Sequence, residues 1–268
     1  MKTYFLILLF MPLFAFSNVH INKQPNTVIY NITNKEVIDG SLDNMEVSIA
    51  SISKLMTVYT VLTHNQDLNE VLTVTGKKTT NTRISKGMKF TRIDLINLAL
   101  ISSDNLAAQT LAENFFGGTS SFVQSMNENA RELSMHHTGF VEPTGLSPMN
   151  YSSVSDIVTL TQAVSQFDIV QHAAQSQKVV TETTIITHNK KNKKKDRISK
   201  VQGNPTSKYF GHDGIITIKT GFTNAAGFCI TMLVYTHHNL YNITVLGARS
   251  SKERQLIVER SLKTIYNA

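Results

Sequence analysis

The sequence predicts an α+β fold, with an antiparallel sheet built from both chain ends and a helical insert between them. Three observations carry this expectation. Short β-branched and apolar runs lie near the two ends, at 28–39 and 215–247. Between them, apolar residues recur at helical spacing. No internal repeat or Pro/Gly-rich linker divides the chain, so residues 18–268 read as one domain. The 268 residues are ample for a core, and a charged share of 17% argues against disorder.

The elements follow in order. Residues 28–32 and 37–39 flank Thr33-Asn34-Lys35-Glu36 as a hairpin. A helix over 51–64 places Ile52, Leu55, Met56, Tyr59 and Leu62 on one core face. Residues 71–75 read as a short alternating strand. A helix over 91–100 opens on Thr91, with Asp94 three residues on, and helices over 105–115 and 122–135 follow. Ser152 and Ser153 introduce another over 154–167. Strands are expected over 215–218, 228–236 and 240–247, the last two joined at His237-His238-Asn239. A helix over 250–266 closes the chain, with Ser250 or Ser251 as cap and Glu253 near its positive end. Residues 184–209 are the one long segment read as an irregular, basic loop.

At the N-terminus, Lys2 precedes an apolar run over 4–16 that ends in Ala15-Phe16-Ser17. A basic start, an apolar stretch and small residues make residues 1–17 a secretory signal peptide, cleaved after Ser17. The run falls short of the roughly 20 residues that span a bilayer. Uncleaved, it would tether the protein instead. In either case the working part faces outside the cytoplasm.

The net charge of +7 is concentrated. Lys190, Lys191, Lys193, Lys194, Lys195, Arg197 and Lys200 stand against the single acid Asp196, so this run alone holds +6. Nucleic-acid binding is not expected, since no aromatics interleave these charges. The run reads as a solvated surface excursion, or as a weak contact for an anionic cell-envelope polymer. One cysteine excludes an internal disulfide and thiolate-based zinc or iron–sulfur sites. Cys229, in an apolar strand, reads as a small buried hydrophobe. The nine histidines include no His-Glu-x-x-His, and neither a metal nor another cofactor is expected.

Three short motifs carry chemistry. Ser51-Ile52-Ser53-Lys54 puts a hydroxyl and an amine three positions apart at a helix start, on one face, beside backbone N–H groups that could receive an oxyanion. Ser103-Asp104-Asn105 lies between two expected helices, and Lys219-Thr220-Gly221 ends an expected strand. Singly these are a capping Ser, an N-cap loop and an edge Lys. Together and in this order they form the signature of penicillin-binding proteins and class A β-lactamases.

The wider stretches Ala50-Ser-Ile-Ser-Lys-Leu-Met-Thr57, Leu98-Ala-Leu-Ile-Ser-Ser-Asp-Asn105, Phe140-Val-Glu-Pro-Thr-Gly-Leu-Ser147 and Lys219-Thr-Gly-Phe-Thr-Asn-Ala-Ala-Gly227 resemble the D-alanyl-D-alanine peptidase family of low-molecular-mass penicillin-binding proteins. Within that family they resemble the endopeptidases most. The resemblance covers residues 28 to the C-terminus and implies a periplasmic serine peptidase of β-lactamase/DD-peptidase-like fold. Such an enzyme acts on peptidoglycan stem peptides and is blocked covalently by β-lactams. It makes Ser51 the acylated nucleophile, Lys54 its base, and Ser103 a proton relay. Asn105 would hold the substrate amide, and Lys219 and Thr220 the substrate carboxylate. Gly221 belongs to the same binding strand, and the N–H groups of Ser51 and Phe222 would form the oxyanion hole. A second cation such as Lys219 beside a buried Lys54 would depress its pKa. The basic run has no counterpart in the family, and the family's extra C-terminal β-domain and anchor are not expected here.

Rival readings stay open: a D-alanyl-D-alanine carboxypeptidase, a class A β-lactamase, or a non-catalytic cell-wall binding protein. A lactamase would need a deacylating Glu in Glu-x-x-Leu-Asn, whereas Glu142-Pro-Thr-Gly-Leu146 has a different spacing. Ala225, Ala226 and Gly227 are expected to leave room for an acceptor peptide.

Overall fold

The two chain ends meet in one antiparallel sheet. In the computed structural model, which describes residues 24–188 and 194–267, β1 (Asn26–Asn31) and β2 (Glu36–Gly40) form the expected N-terminal hairpin. The C-terminal half supplies β9 (Ile215–Thr223), β10 (Gly227–Thr236) and β11 (Asn239–Ala248). The strand order is β2-β1-β11-β10-β9, so first and last strands are neighbours and β9 is an edge. His237 and His238 both have positive φ, at 47° and 61°, as a tight two-residue turn between twisted strands requires. The strand expected to end at Lys219-Thr220-Gly221 runs on through Thr223.

The helical part is organised around one central helix. A 3₁₀ turn over Ala50–Ile52 leads into α1 (Ser53–Thr63). Eight of its residues, including Ser53, Lys54, Thr57 and Thr60, are buried. The single core face expected from Leu55 and Met56 was too narrow: α1 is surrounded, and its polar residues are buried for reasons of chemistry. α2 (Arg92–Ile101) starts with the expected capping box of Thr91 and Asp94. α3 (Asn105–Glu113) is capped by Asp104, and α4 (Gly118–Glu132) begins earlier than expected. Ser153 caps α5 (Val154–Val164), and α6 (Asp168–Ala174) is an addition the sequence did not announce. α7 (Ser251–Tyr266) is capped by Ser250, whose hydroxyl accepts from Glu253 N at 3.0 Å. Two short strands, β3 (Val47–Ser48) and β6 (Tyr151–Ser152), pair beside α1. Among the described residues no helix is long and apolar enough to cross a membrane. The segment read as a signal peptide, 1–17, lies outside the described residues.

The segment expected to be irregular is largely a β-hairpin. β7 (Val179–His188) and β8 (Lys194–Gly203) pair antiparallel and extend a second sheet of order β4-β5-β7-β8, with β4 at Val71–Thr73 and β5 at Lys89–Thr91. Its period-2 pattern was concealed because the inward positions are Val179, Thr181 and Thr183, two of them polar. Thr183 Oγ1 accepts from Lys89 N at 3.1 Å and donates to Lys89 O at 2.9 Å, binding the strands through a side chain. Lys190, Lys191 and Lys193 lie outside the described residues. Glycine at 203 lets the hairpin base approach Ser102: a Cβ there would lie 2.7 Å from Ser102 Oγ.

α5 and α7 both pack on β10 and β11. The α5 contact includes a buried hydroxyl chain. Thr161 Oγ1 lies 2.9 Å from Thr231 Oγ1, which lies 2.8 Å from Thr244 Oγ1 and accepts from Asn242 Nδ2 at 3.4 Å. Thr231→Val keeps the shape but strands its neighbours' polar atoms. It is expected to lower unfolding stability by about 1–2 kcal/mol, read from the denaturant midpoint at constant m-value. An unchanged midpoint would count against this network as a stabilising element.

Candidate active site

Ser51, Ser103 and Thr220 come from three separate parts of the fold and line one cleft of about 570 Å³ between helices and sheet, with Lys219 buried behind Ser103. Ser51 sits in the 3₁₀ turn after Ala50, whose φ of 48° is in the left-handed region. Two glycines make that turn possible. A Cβ on Gly145 would lie 1.9 Å from Ala50 O, and one on Gly221 would lie 3.0 Å from Ser51 N. The loop after Glu142 and strand β9 therefore press on the Ser51 turn from two directions.

Lys54 is fully buried one turn along. Its Nζ lies 2.9 Å from Ser51 Oγ, 2.7 Å from Asn105 Oδ1 and 2.5 Å from Thr144 O. Burial lowers its pKa to about 7, against the opposing pull of the Glu142 and Asp104 carboxylates. A neutral amine has two N–H groups and one lone pair. Asn105 Oδ1 and Thr144 O can only accept, so in the neutral form the lone pair is left to face the Ser51 hydroxyl. Burial is the leading cause, as expected, while the charges acting on Lys54 are the Glu142 and Asp104 carboxylates and not the expected Lys219 cation.

Ser103, with φ of 55°, is presented by the turn between α2 and α3. Asn81 Nδ2 donates to Ser102 O and Ser103 O, and Arg83 N to Asp104 Oδ2, which ties the 79–84 segment over this turn. Ser103 Oγ accepts from Lys219 Nζ at 2.9 Å, and the same Nζ reaches Thr220 O at 3.0 Å. Burial lowers the Lys219 pKa well below its usual range, and the cations Lys54 and Arg254 add to the effect. Asn105 lines the cleft but is engaged on both sides: Oδ1 accepts from Lys54 and Nδ2 donates to Thr80 O at 2.6 Å. It is built to hold Lys54 as much as to meet a ligand.

Glu142 is occupied in a different way. Its carboxylate accepts from Thr144 N at 2.7 Å, Gly145 N at 2.6 Å, Ser147 N at 3.3 Å and Asn150 Nδ2 at 3.1 Å. It organises the loop that delivers the Thr144 carbonyl to Lys54. Among the described residues, no cluster of three His, Cys, Asp or Glu side chains is arranged to hold a metal. Cys229 is fully buried, and burial raises its thiol pKa to about 11. Ala225 and Ala226 lie in the connection from β9 to β10 and Gly227 opens β10; Ala226 is buried, and the cleft wall there is made by Phe222, Thr223, Asn224 and Phe228.

The sequence matches the peptidase S11 family, D-alanyl-D-alanine carboxypeptidase, over residues 15–250. The chain belongs to this family. The S11 chain is 35% identical over 210 residues to a D-alanyl-D-alanine endopeptidase of Pseudomonas aeruginosa, across 76% of this chain and 65% of that protein. It is 31% identical to the D-alanyl-D-alanine endopeptidase of Escherichia coli, across 83% of this chain and 71% of that one. It thus spans slightly less than two thirds of the first relative's own length. Its fold matches the Streptomyces K15 DD-transpeptidase with a TM-score of 0.77 and 19% identity, over 90% of this chain and 95% of that one.

Three cleft residues of this S11 chain had no signal in the sequence. Thr206 follows β8 and accepts from Thr220 Oγ1 at 2.7 Å. Asn81 lies in a polar loop with no motif. Arg254, from the first turns of α7, brings a cation to the cleft. Gly145→Ala tests the packing against the Ser51 turn. Its φ is 79° and its Cβ meets backbone, so stability is expected to fall by about 2–3 kcal/mol. Gly87→Ala, with φ of 87° and open space around its Cβ, serves as control and is expected to cost only about 1 kcal/mol. Equal thermal shifts for the two variants would refute the close contact.

Proposed function

We propose that this protein is a serine D,D-peptidase of the bacterial cell wall. Its main reaction is cleavage of the D-alanyl–diamino-acid cross-link between peptidoglycan stem peptides. The observation that carries the reading is Lys54 Nζ, buried, with two carbonyl acceptors and one hydroxyl, Ser51 Oγ at 2.9 Å. In its neutral form this amine is a general base aimed at a nucleophile.

On this reading Ser51 Oγ attacks the D-alanyl carbonyl as Lys54 Nζ takes its proton. The tetrahedral oxyanion is received by the N–H groups of Ser51 and Phe222. Ser103 Oγ, bonded to Lys219 Nζ, passes a proton to the leaving amine as the C–N bond breaks. Thr220, Lys219 and Arg254 gather the carboxylate of the leaving residue. The proton that Lys54 took is passed on to Ser103, which restores the neutral amine and the hydroxyl. Water then attacks the acyl-enzyme, giving a proton to Lys54, which returns it to Ser51 Oγ as the ester opens to the acid and Ser51 is regenerated. A β-lactam enters by the same first step and remains as an ester, because the carboxylate of Glu142 is engaged by loop N–H groups and not directed at a water.

The endopeptidase preference is supported by the name shared by the two relatives described above. The carboxypeptidase reading keeps its place because the family description itself is that activity. Export by the 1–17 leader belongs to the same proposal and rests on its residue pattern. So does a weak electrostatic contact between the 190–200 run and an anionic envelope polymer, which rests on the concentration of +6 there.

Benzylpenicillin is expected to add covalently to wild-type protein and not to Ser51→Ala, seen by intact mass. Lys54 must be neutral to act, so the acylation rate is expected to rise as pH increases through about 7. A pH-independent rate would remove Lys54 as the base, and rapid drug turnover would favour a lactamase. The bond cut is read by supplying equal concentrations of cross-linked dimeric muropeptide and monomeric pentapeptide. Monomer release from dimer is expected to be the faster process, as a ratio of kcat/KM. Faster appearance of free D-alanine would make the enzyme a carboxypeptidase.

A further inference from the structure

The cleft has an apolar wall that the reaction above does not use. Phe222 is 51% exposed and stacks on Phe228, with ring centroids 4.1 Å apart and planes 28° apart. The two are direct partners across the β9–β10 pair, and Leu146, 40% exposed, lines the same cleft. Phe222, half in water at the cleft rim and backed by the partly buried Phe228, is apolar area held ready for contact.

Strand geometry decides which part of a substrate meets them. Side chains alternate along β9. Lys219 reaches Ser103 and Gly221 lies against the Ser51 turn, and residues 220–223 all border the cleft. Thr220 and Phe222 therefore lie on one side of the strand, roughly 7 Å apart, with Ser51 opposite the residue between them. If Thr220 takes the carboxylate of the leaving residue and Ser51 the reacting carbonyl, the acyl-donor chain continues toward Phe222. The residue preceding D-alanine then arrives over the stacked rings.

We propose that Phe222, backed by Phe228, is the platform for the acyl-donor side of the substrate. It receives the methylene chain of the diamino acid that precedes D-alanine, and the acyl side chain of a β-lactam takes the same place. Both present CH groups to a ring face. This inference rests on the peptidase reading given above.

The test compares Ser51 acylation by benzylpenicillin with that by 6-aminopenicillanic acid, which lacks the acyl side chain. Wild type is expected to react faster with benzylpenicillin. In Phe222→Ala the ratio of the two rates is expected to fall about tenfold, the size of one aromatic contact. Phe222→Tyr, which retains the ring, is expected to keep the wild-type ratio. The alanine variant should also lose kcat/KM on dimeric muropeptide by a similar factor. An unchanged ratio, or equal loss with both β-lactams, would overturn the platform while leaving the peptidase reading intact. Absence of any adduct on wild type would remove the peptidase reading and the platform with it.

Discussion

Two lysine amines, Lys54 and Lys219, are buried without solvent contact at the seam between helices and sheet, and the surrounding structure is arranged around them. An ammonium taken out of water is costly unless it is fully hydrogen-bonded or gives up its proton. Both devices are present. Asn105, Thr144 and Ser51 surround one amine, and Ser103 and the Thr220 carbonyl meet the other. The same burial pulls both pKa values down. Dry lysines would be a liability in a structural core; here the lost proton leaves the first of them with a lone pair facing the Ser51 hydroxyl.

Holding those partners still requires the loops to be held in turn. The Glu142 carboxylate gathers the N–H groups of its own loop, and Thr57 Oγ1 donates to Pro143 O at 2.6 Å, so the loop is fixed to α1 before it reaches Lys54. The 79–84 segment does the same for the Ser103 turn. Residues with no catalytic chemistry thereby determine where the chemistry sits. Left-handed backbone at Ala50, Asn81 and Ser103 marks where this rigidity is concentrated.

The parts of this arrangement that the sequence declared are those with a fixed local spacing. Ser51 and Lys54 are one helical turn apart, Thr91 and Asp94 form a cap, and β10 and β11 are apolar runs on either side of a tight turn, buried on both faces. The order of strands, helices and strands was sufficient for the sheet of both chain ends. The β7–β8 hairpin escaped because its inward face is threonine and its lysines dominate the composition. Thr206 and Arg254 escaped for a different reason. Each reaches the cleft only through a long tertiary return, and neither belongs to a pattern within its own segment. α1 shows the same limit, since Ser53, Thr57 and Thr60 lie off the apolar face read from the sequence and are buried as well.

The contacts that assemble the cleft join distant parts of the chain. Lys54 meets Asn105 across 51 residues and Thr144 across 90, and Lys219 meets Ser103 across 116. Contacts this far apart form only when most of the topology is in place, after the local helices and turns. A nascent or partly folded chain would thus hold Ser51 and Lys54 on a helix without the carbonyls that direct the amine. Such a chain would hold the Ser51 hydroxyl without an aimed amine until its later half had joined the first. The Ser51–Lys54 arrangement is thus a property of the completed topology and not of the helix that carries both residues.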